Sequence, residues 1–151
     1  MKSTSSRLWK CPRCGARLVS RNLSHACGEH SVARFLAGHG SAERRLFERF
    51  ERMIARCGPY RRAPARTRVA FMAQVRFASV NRIGAGAIDV HFVLPRALTS
   101  PRFRRVEHLG KVHVHHLRLS KPGDFDAELQ TWLAQSYREY GCRERLQLAK
   151  P

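Results

Sequence analysis

Apolar residues between positions 41 and 57 recur at spacings of one, three and four, the pattern of one face of an α-helix. They are Leu46, Phe47, Phe50, Met53, Ile54 and Cys57. Ser41 is predicted to cap this helix at its N-terminus, and Gly58 and Pro59 are predicted to end it. The opposite face is rich in arginine, so the pattern indicates an amphipathic helix with one buried face.

After residue 66 the apolar period shortens to two, which is typical of a half-buried β-strand. The alternating apolar residues are Val69, Phe71, Ala73, Val75 and Phe77. This run predicts one strand, or two strands with a tight break near Met72–Ala73. Residues 81–86 have the composition of a turn, and residues 88–94 alternate again as a further strand.

A hairpin is predicted from strands at residues 106–109 and 112–119, which are separated by a two-residue turn. In its second strand, alternation places His113 and His115 on one face and His116 on the other. Histidines two apart on a strand can bind a transition metal, although such positions are more often ordinary parts of a sheet.

Two further helical segments lie near the ends of the chain. Residues 31–37 have the pattern of one or two helical turns, ended by Gly38. A last helix is predicted to be capped by Asp124 or Asp126 and to end at Gly141. Its aromatic residues share one face, so they are predicted to belong to the core.

The order of these elements predicts an α+β fold, an antiparallel sheet of about four to six strands covered on one face by an N-terminal and a C-terminal helix. We expect residues 1–7 to be a disordered lead-in and residues 142–151 a polar tail. Residues 8–40 are predicted to be a zinc-binding appendage and residues 41–141 the α+β domain. No apolar run has the length of a membrane span or a signal peptide, so we expect a cytoplasmic protein with no membrane partner.

Two pairs of metal-ligand residues define the predicted appendage. Cys11 and Cys14 form a C-P-R-C-G turn, and His25 and Cys27 form an H-A-C-G turn ten residues later. Three thiolates and one imidazole at this spacing are the ligands of a tetrahedral Zn²⁺ site of the zinc-ribbon or zinc-knuckle type. His30 is an alternative fourth ligand, but the compact H-x-C turn favours His25.

The predicted zinc site is structural, because four protein ligands leave no open position for water. So short a segment buries too little apolar surface to fold alone, and metal binding would supply its folding free energy. Metal-bound thiolates and an odd total of five cysteines indicate a reducing compartment.

The chain has 29 Lys+Arg against 11 Asp+Glu and a formal net charge of +18. Such a charge attracts polyanions by counterion release, so DNA or RNA is the predicted partner. The arginines predicted to contact phosphate are Arg61, Arg62, Arg66, Arg68, Arg76, Arg82, Arg102, Arg104 and Arg105. The alternative is that these arginines solvate the surface and reflect only the arginine-rich composition of the chain.

Three functions are compatible with this pattern. The first is a zinc-stabilised basic module that contacts the phosphates of a nucleic acid, and the second is an interaction module for an acidic protein. The third is a ligand sensor or enzyme that uses Asp89, His91 and the histidines at 113–116. No nucleophile–base motif, glycine-rich phosphate loop or carboxylate pair supports an enzyme, so no catalytic residue is predicted.

Several motifs resemble the bacterial family of domains of unknown function numbered 5655. They are L-W-K-C-P-R-C-G, S-H-A-C-G, T-R-V-A-F-M-A-Q-V-R-F-A-S-V, F-V-L-P-R-A-L, S-P-R-F-R-R-V, V-H-H-L-R-L and D-F-D-A-E-L-Q-T-W-L-A-Q-S-Y. The resemblance runs from about Leu8 to Tyr140. It implies that the metal ligands are Cys11, Cys14, His25 and Cys27, and it implies no catalytic residue. The helix–sheet–helix layout of the family is similar to that of small MmcQ/YjbR-type domains, which are described as DNA-binding.

Replacement of one thiolate tests the separate folding of the appendage. We expect Cys14→Ser to lose bound zinc but to leave the core of residues 41–141 folded, because the larger domain has its own apolar core. Zinc content by mass spectrometry and near-ultraviolet circular dichroism measure the two effects. Loss of the tertiary signal of the whole chain would show that the two parts fold as one unit.

Overall fold

The computed structural model describes the backbone of residues 9–10 and 17–18 and the continuous segment 30–142. The helices are α1 (Val32–Leu36), α2 (Ser41–Cys57) and α3 (Ala127–Ser136). The strands are β1 (Trp9–Lys10), β2 (Arg17–Leu18), β3 (Arg61–Pro64), β4 (Val69–Met72), β5 (Arg76–Gly84), β6 (Ala87–Leu94), β7 (Arg105–Leu109) and β8 (Val112–Leu119). A 3₁₀ turn at Pro122–Asp124 precedes α3, and a π-helical turn at Tyr137–Gly141 follows it.

Strands β3 to β8 form one six-stranded sheet in the order β3-β4-β5-β6-β8-β7, with every neighbouring pair antiparallel. Strand β7 therefore lies at one edge and β3 at the other. With α2 before the sheet and α3 after it, the predicted α+β class and strand number are confirmed. Strands β1 and β2 form a separate antiparallel pair.

Helices α2 and α3 pack against β5 and β6 on the same side of the sheet and contact each other. Their apolar faces and the inward residues of the strands form one core. Phe71 of β4 stands at its centre, with ring centroids 6.1 Å from Phe47 and 6.0 Å from Phe50 of α2. The period-two and period-3.6 patterns of the sequence meet in this layer, as predicted.

The start of α3 settles the choice between two predicted caps. Asp126 is the N-cap, and its carboxylate accepts a hydrogen bond from the Leu129 N–H at 3.0 Å. Asp124 instead accepts from the N–H groups of Ser120 and Lys121, which closes the 3₁₀ turn before the helix. Both carboxylates satisfy backbone donors that would otherwise have no partner, and these bonds are the largest cause of the lowered pKa of each.

Helix α1 packs against the α+β core, although it lies within residues 8–40, the predicted appendage. The Phe35 ring lies 6.1 Å from that of Phe47, and Val32 and Leu36 also contact the core. Ser31 caps this helix by accepting from the Arg34 N–H at 3.1 Å. The predicted short helix is thus present and docked on the larger domain.

Three local predictions differ from the structure. Gly40, not Ser41, is the N-cap of α2, because helical geometry already begins at Ser41. Residues 61–64 form an edge strand whose sequence, R-R-A-P, has no apolar alternation to indicate it.

The third difference concerns residues 81–86, where a turn was predicted. Strand β5 continues to Gly84, with a bulge between Val80 and Arg82, and only Ala85 and Gly86 form the turn. Both turn residues have positive φ, 53° and 73°, as a two-residue hairpin loop requires. The side chains of Asn81 and Arg82 consequently belong to the sheet.

A buried carboxylate joins α2 to the β3 edge. Glu51, on the helix, is 9% exposed and accepts a hydrogen bond from the Tyr60 hydroxyl at 2.8 Å. The Arg62 guanidinium donates to both carboxylate oxygens, at 2.5 and 2.8 Å. A bidentate pair of this kind fixes orientation as well as adding energy, so it holds the edge strand against the helix.

Removal of this carboxylate is expected to destabilise the fold. Glu51→Ala deprives the half-buried Tyr60 hydroxyl and the exposed Arg62 guanidinium of their acceptor and should lower the free energy of unfolding by about 1.5 kcal/mol. Glu48→Ala is the matched control, because Glu48 is an exposed acid on the same helix, and its effect should stay within about 0.5 kcal/mol. Urea unfolding measures both, and equal effects would contradict the assigned role of Glu51.

Candidate nucleic-acid interface

The sheet face opposite α2 and α3 carries polar side chains. Along β6, Val90 and Phe92 face the core, while Asp89, His91 and Val93 alternate to the other side. We call this second side the open face. Two depressions lie on it, and they share Arg68 and His91.

The larger depression, which we call the arginine cradle, has a volume of about 750 Å³. Five arginines from three parts of the chain line it: Arg66, Arg68, Arg82, Arg104 and Arg105. The loop between β3 and β4 supplies the first two, and the β5 bulge supplies the third. Arg104 immediately precedes β7, and Arg105 is the first residue of that strand. Residues far apart in sequence therefore place their positive charges around one concave surface.

The smaller depression, which we call the apolar depression, has a volume of about 410 Å³. Its apolar lining is mostly of small and β-branched side chains, among them Ala70, Val93 and Val114, and Ser79 and His91 belong to its polar lining. Arg76 and Tyr140 also line it. Burial and, second, the positive charge of Arg68, which lines the same depression, lower the pKa of Arg76.

His91 lies where the two depressions meet. Its Nδ1 atom is 2.8 Å from Asn81 Nδ2, and the Asn81 amide in turn lies 3.0 Å from the Ser79 hydroxyl. Burial, together with smaller contributions from the neighbouring His116 and Arg68, lowers the pKa of His91 to about 3. The imidazole is therefore neutral at physiological pH.

His116 stands directly opposite His91 on β8, with a ring-centroid distance of 5.4 Å. Its Nε2 atom lies 2.7 Å from Glu107 Oε1. The pKa of Glu107 is lowered, chiefly by this hydrogen bond. The cradle thus contains two neighbouring histidines with different partners: His116 is hydrogen-bonded to the Glu107 carboxylate and His91 to the Asn81 amide.

Asp89 is the second carboxylate in the cradle. Its Oδ1 atom is buried and has no hydrogen bond among the described residues, and its nearest cation is Arg118 Nη1 at 3.5 Å. The side chain as a whole is 30% exposed, so Oδ2 is the oxygen that solvent or a ligand reaches.

The nine arginines predicted to contact phosphate divide into distinct groups. Five of them form the cradle, and Arg76 lines the apolar depression. Arg61 is exposed on the β3 edge. Arg62 is bound to Glu51, and Arg102 donates to Asp126 and Glu128 at 3.0 Å each.

Arg102 also donates to the Asp124 carbonyl at 2.7 Å and lies over the Trp132 ring at 5.5 Å. These contacts join the loop before β7 to α3. Arg62 and Arg102 thus have a structural role. Composition and spacing alone did not distinguish this role from phosphate binding.

The face assignment of the β8 histidines is confirmed. His115 is fully buried, stacks on Phe92 with ring centroids 4.9 Å apart, and accepts a hydrogen bond from the Leu98 N–H at 3.0 Å. His113 lies near His108 on the β7–β8 hairpin, with 2.7 Å between their Nδ1 atoms. Only His116 of this group reaches the cradle.

Within residues 9–10, 17–18 and 30–142, no group of three or more His, Cys, Asp and Glu is arranged to hold a metal ion. The predicted zinc ligands Cys11, Cys14, His25 and Cys27 lie outside the described residues. His30 is described and lies just before Ser31, the cap of α1. The zinc site stays a prediction from the spacing of its ligands.

The sequence did not predict Asn81 or Glu107 as residues of the cradle, nor the pairing of His116 with Glu107. Asn81 had been assigned to a turn. One feature of the sequence could have placed Asn81 on the strand, namely its position two residues after Ser79. Polar residues two apart on a strand lie on the same face, away from the core. Glu107 and His116 meet only through the β7–β8 register, which the sequence does not state directly.

A sheet covered by helices on one face, with a basic depression on the other, defines the protein as a small open-faced α+β domain. The chain matches the family model of a domain of unknown function, DUF5655, over residues 33–139, more than two thirds of its length. It therefore belongs to this family. The match confirms that part of the resemblance and begins after the cysteine-containing segment. No curated protein and no solved structure matches the chain.

Among the described helices, none combines the length and the apolar composition that crossing a membrane requires.

Titration of His91 tests the electrostatics of the cradle. Its folded pKa of about 3 lies below the ordinary value of 6.5, so the unfolded chain binds the proton more readily. This contribution to stability is complete above pH 6.5 and is lost as the pH falls from there towards 3. NMR of the imidazole signals should show His91 neutral down to pH 5, and His91→Gln should flatten the fall in stability across that range. A midpoint near 6.5 would contradict the burial of this ring.

Proposed function

We propose that the protein is a zinc-stabilised basic module that holds the phosphate backbone of a nucleic acid on its open face. The convergence of five arginines on one concave surface carries this proposal. Arginine presents planar pairs of donors that match phosphate oxygens, which suits recognition of a backbone better than a single point charge does.

The composition of the cradle supports binding to an anion. It holds five guanidinium groups against the two carboxylates Asp89 and Glu107. Among the described contacts, Arg105 approaches Glu107 at 3.6 Å, while no carboxylate lies within salt-bridge distance of Arg66, Arg68, Arg82 or Arg104. Positive charge in a concave surface focuses the field on an incoming polyanion.

An acidic protein is the second candidate partner, because the same charge attracts carboxylate side chains. Carboxylates on a folded partner would have to match a recessed surface, whereas a flexible phosphate backbone can enter it. We therefore favour nucleic acid, and competition between the two ligands belongs to the test below.

We further propose that Cys11, Cys14, His25 and Cys27 hold a structural Zn²⁺, with His30 as the alternative to His25. The paired strands β1 and β2 support this, because they flank the C-P-R-C-G turn and an antiparallel pair brings its ends together. Thiolate ligands require a reducing compartment, so we place the protein in the cytoplasm.

Two double variants of equal charge test whether binding depends on the cradle or only on the net charge of the protein. Arg68→Ala with Arg104→Ala should weaken binding to a short nucleic acid about tenfold per arginine and lower the salt slope by about 0.9 per lost phosphate contact on a duplex. The control is Arg45→Ala with Arg52→Ala, which removes the same charge from the exposed face of α2. Fluorescence anisotropy across a salt series, using nuclease-treated protein, measures both.

Equal losses in the two double variants would show that binding follows net charge and would remove the cradle from the proposal. If binding of the wild-type protein disappears below physiological salt while an acidic polypeptide still binds, the protein-partner function replaces it.

A further inference from the structure

The arginine cradle also contains hydrogen-bond acceptors, which a site for phosphate alone does not require. Phosphate oxygens only accept hydrogen bonds, so acceptors beside them need a ligand that also donates. The carboxylate of Asp89 and the imidazole of His91 are such groups. They lie on the same face of β6, two residues apart.

Asp89 stands between two cations without a hydrogen bond to either. Arg82 is its direct neighbour on β5 and Arg118 its direct neighbour on β8, where the closest approach is 3.5 Å. The ion pair with Arg118 compensates the charge of the buried Oδ1 only in part, because this oxygen accepts no hydrogen bond among the described residues. The acceptor capacity of its accessible oxygen remains available to a ligand.

The hydrogen bonds behind His91 determine which of its nitrogens carries the proton. Ser79 Oγ lies 3.3 Å from the Val69 carbonyl and 3.0 Å from the Asn81 amide, but a hydroxyl has only one proton to donate. If Asn81 donates to His91, Ser79 must choose between two acceptors. A half-turn of the amide lets Asn81 donate to Ser79, Ser79 donate to Val69, and His91 Nδ1–H donate to Asn81.

The turned amide makes all three hydrogen bonds at once, so it is the orientation we infer. It leaves the lone pair of His91 on Nε2, which has no hydrogen bond among the described residues. The low pKa of His91 keeps this lone pair unprotonated at neutral pH. A group of such low basicity is a poor general base but still a hydrogen-bond acceptor, which favours recognition over catalysis.

We propose that the cradle binds a phosphorylated ribose, with the arginines on phosphate and with His91 Nε2 and Asp89 Oδ2 accepting from ribose hydroxyls. Carboxylates commonly accept from ribose hydroxyls in nucleotide sites. Within a polymer the 2′-hydroxyl distinguishes RNA from DNA, so this inference, which rests on the proposed function, makes RNA the preferred nucleic acid.

The adjoining apolar depression suits the base of the same nucleotide. It shares Arg68 and His91 with the cradle, so a base could occupy it while the attached ribose and phosphate occupy the cradle. Ala70, Val93 and Val114 offer apolar surface to the face of the ring, and polar lining residues such as Ser79 and Arg76 can reach its edge. A base inserted in this way must be unpaired, which makes single-stranded RNA the expected form.

Three oligonucleotides of one sequence test the proposal: single-stranded RNA, single-stranded DNA and 2′-O-methyl RNA. The wild-type protein should bind RNA about tenfold more tightly than the other two, because neither can donate from the 2′-position. His91→Phe and Asp89→Asn should each reduce the RNA-to-DNA affinity ratio several-fold. Glu48→Gln makes the same charge change as Asp89→Asn on α2 and should leave the ratio unchanged.

The tautomer of His91 is a second, independent readout. Long-range ¹H–¹⁵N spectra should show Nδ1 protonated and Nε2 unprotonated, and Asn81→Ala should abolish this preference. A proton found on Nε2 in the wild-type protein would overturn the proposal, because that nitrogen would then donate to phosphate.

The outcomes separate this inference from the proposed function. Equal affinity for RNA and DNA, with both binding at physiological salt, overturns the ribose preference and leaves the nucleic-acid function standing. Competition with adenosine monophosphate and its 2′-deoxy form completes the test. Discrimination between these two by a protein that binds no oligonucleotide would confirm the ribose phosphate site and overturn the nucleic-acid function.

Discussion

The packing of α2 and α3 onto one face of an antiparallel sheet decides what every strand residue does. Because side chains alternate along a strand, covering one face sends half of them into the core and the other half to the open face. Phe92 thus packs among aromatic rings, while its neighbour His91 lies beside arginines. The same constraint that builds the core also collects the polar residues of separate strands.

The fold and the cradle are linked by arginines in different roles. Arg62 and Arg102 are bound by carboxylates and connect the sheet to the helices, while Arg66, Arg68 and Arg104 have no carboxylate within salt-bridge distance among the described contacts. A chain with so few acidic residues can neutralise only some of its arginines. The positions of those acids therefore decide which arginines are structural and which remain for a ligand.

Sequence periodicity predicted the fold well, because the core depends on local patterns. The α2 stripe, the alternation of β6 and the two faces of β8 follow directly from residue spacing. The edge strand β3 has no such pattern, and it is held by the contact of Arg62 with Glu51, eleven residues away. Asn81 was assigned to a turn because its own type and the nearby Gly84 and Gly86 are typical of turns. The bulge that keeps it in the sheet depends on pairing with β6.

The candidate site was predicted mainly from its positive charge. Asp89 and His91 could be placed on one strand face, but their meeting with His116 and Glu107 requires the order in which β6, β8 and β7 pair. Strand order depends on long-range contacts, and a single sequence does not specify it. Arg102 is structural and Arg104 lines the cradle, although they are only two residues apart. This difference depends on the positions of the acidic residues at the start of α3, which bind Arg102.

The two edges of the sheet differ in how they would meet another strand. At β3, Pro64 lacks an N–H and therefore cannot donate to a further strand. At β7 the edge has no proline, and its last residue, Leu109, is 57% exposed. Extension of the sheet by a strand from another molecule is therefore directed to the β7 side, next to Arg104 and Arg105, where an added strand would deepen one wall of the cradle.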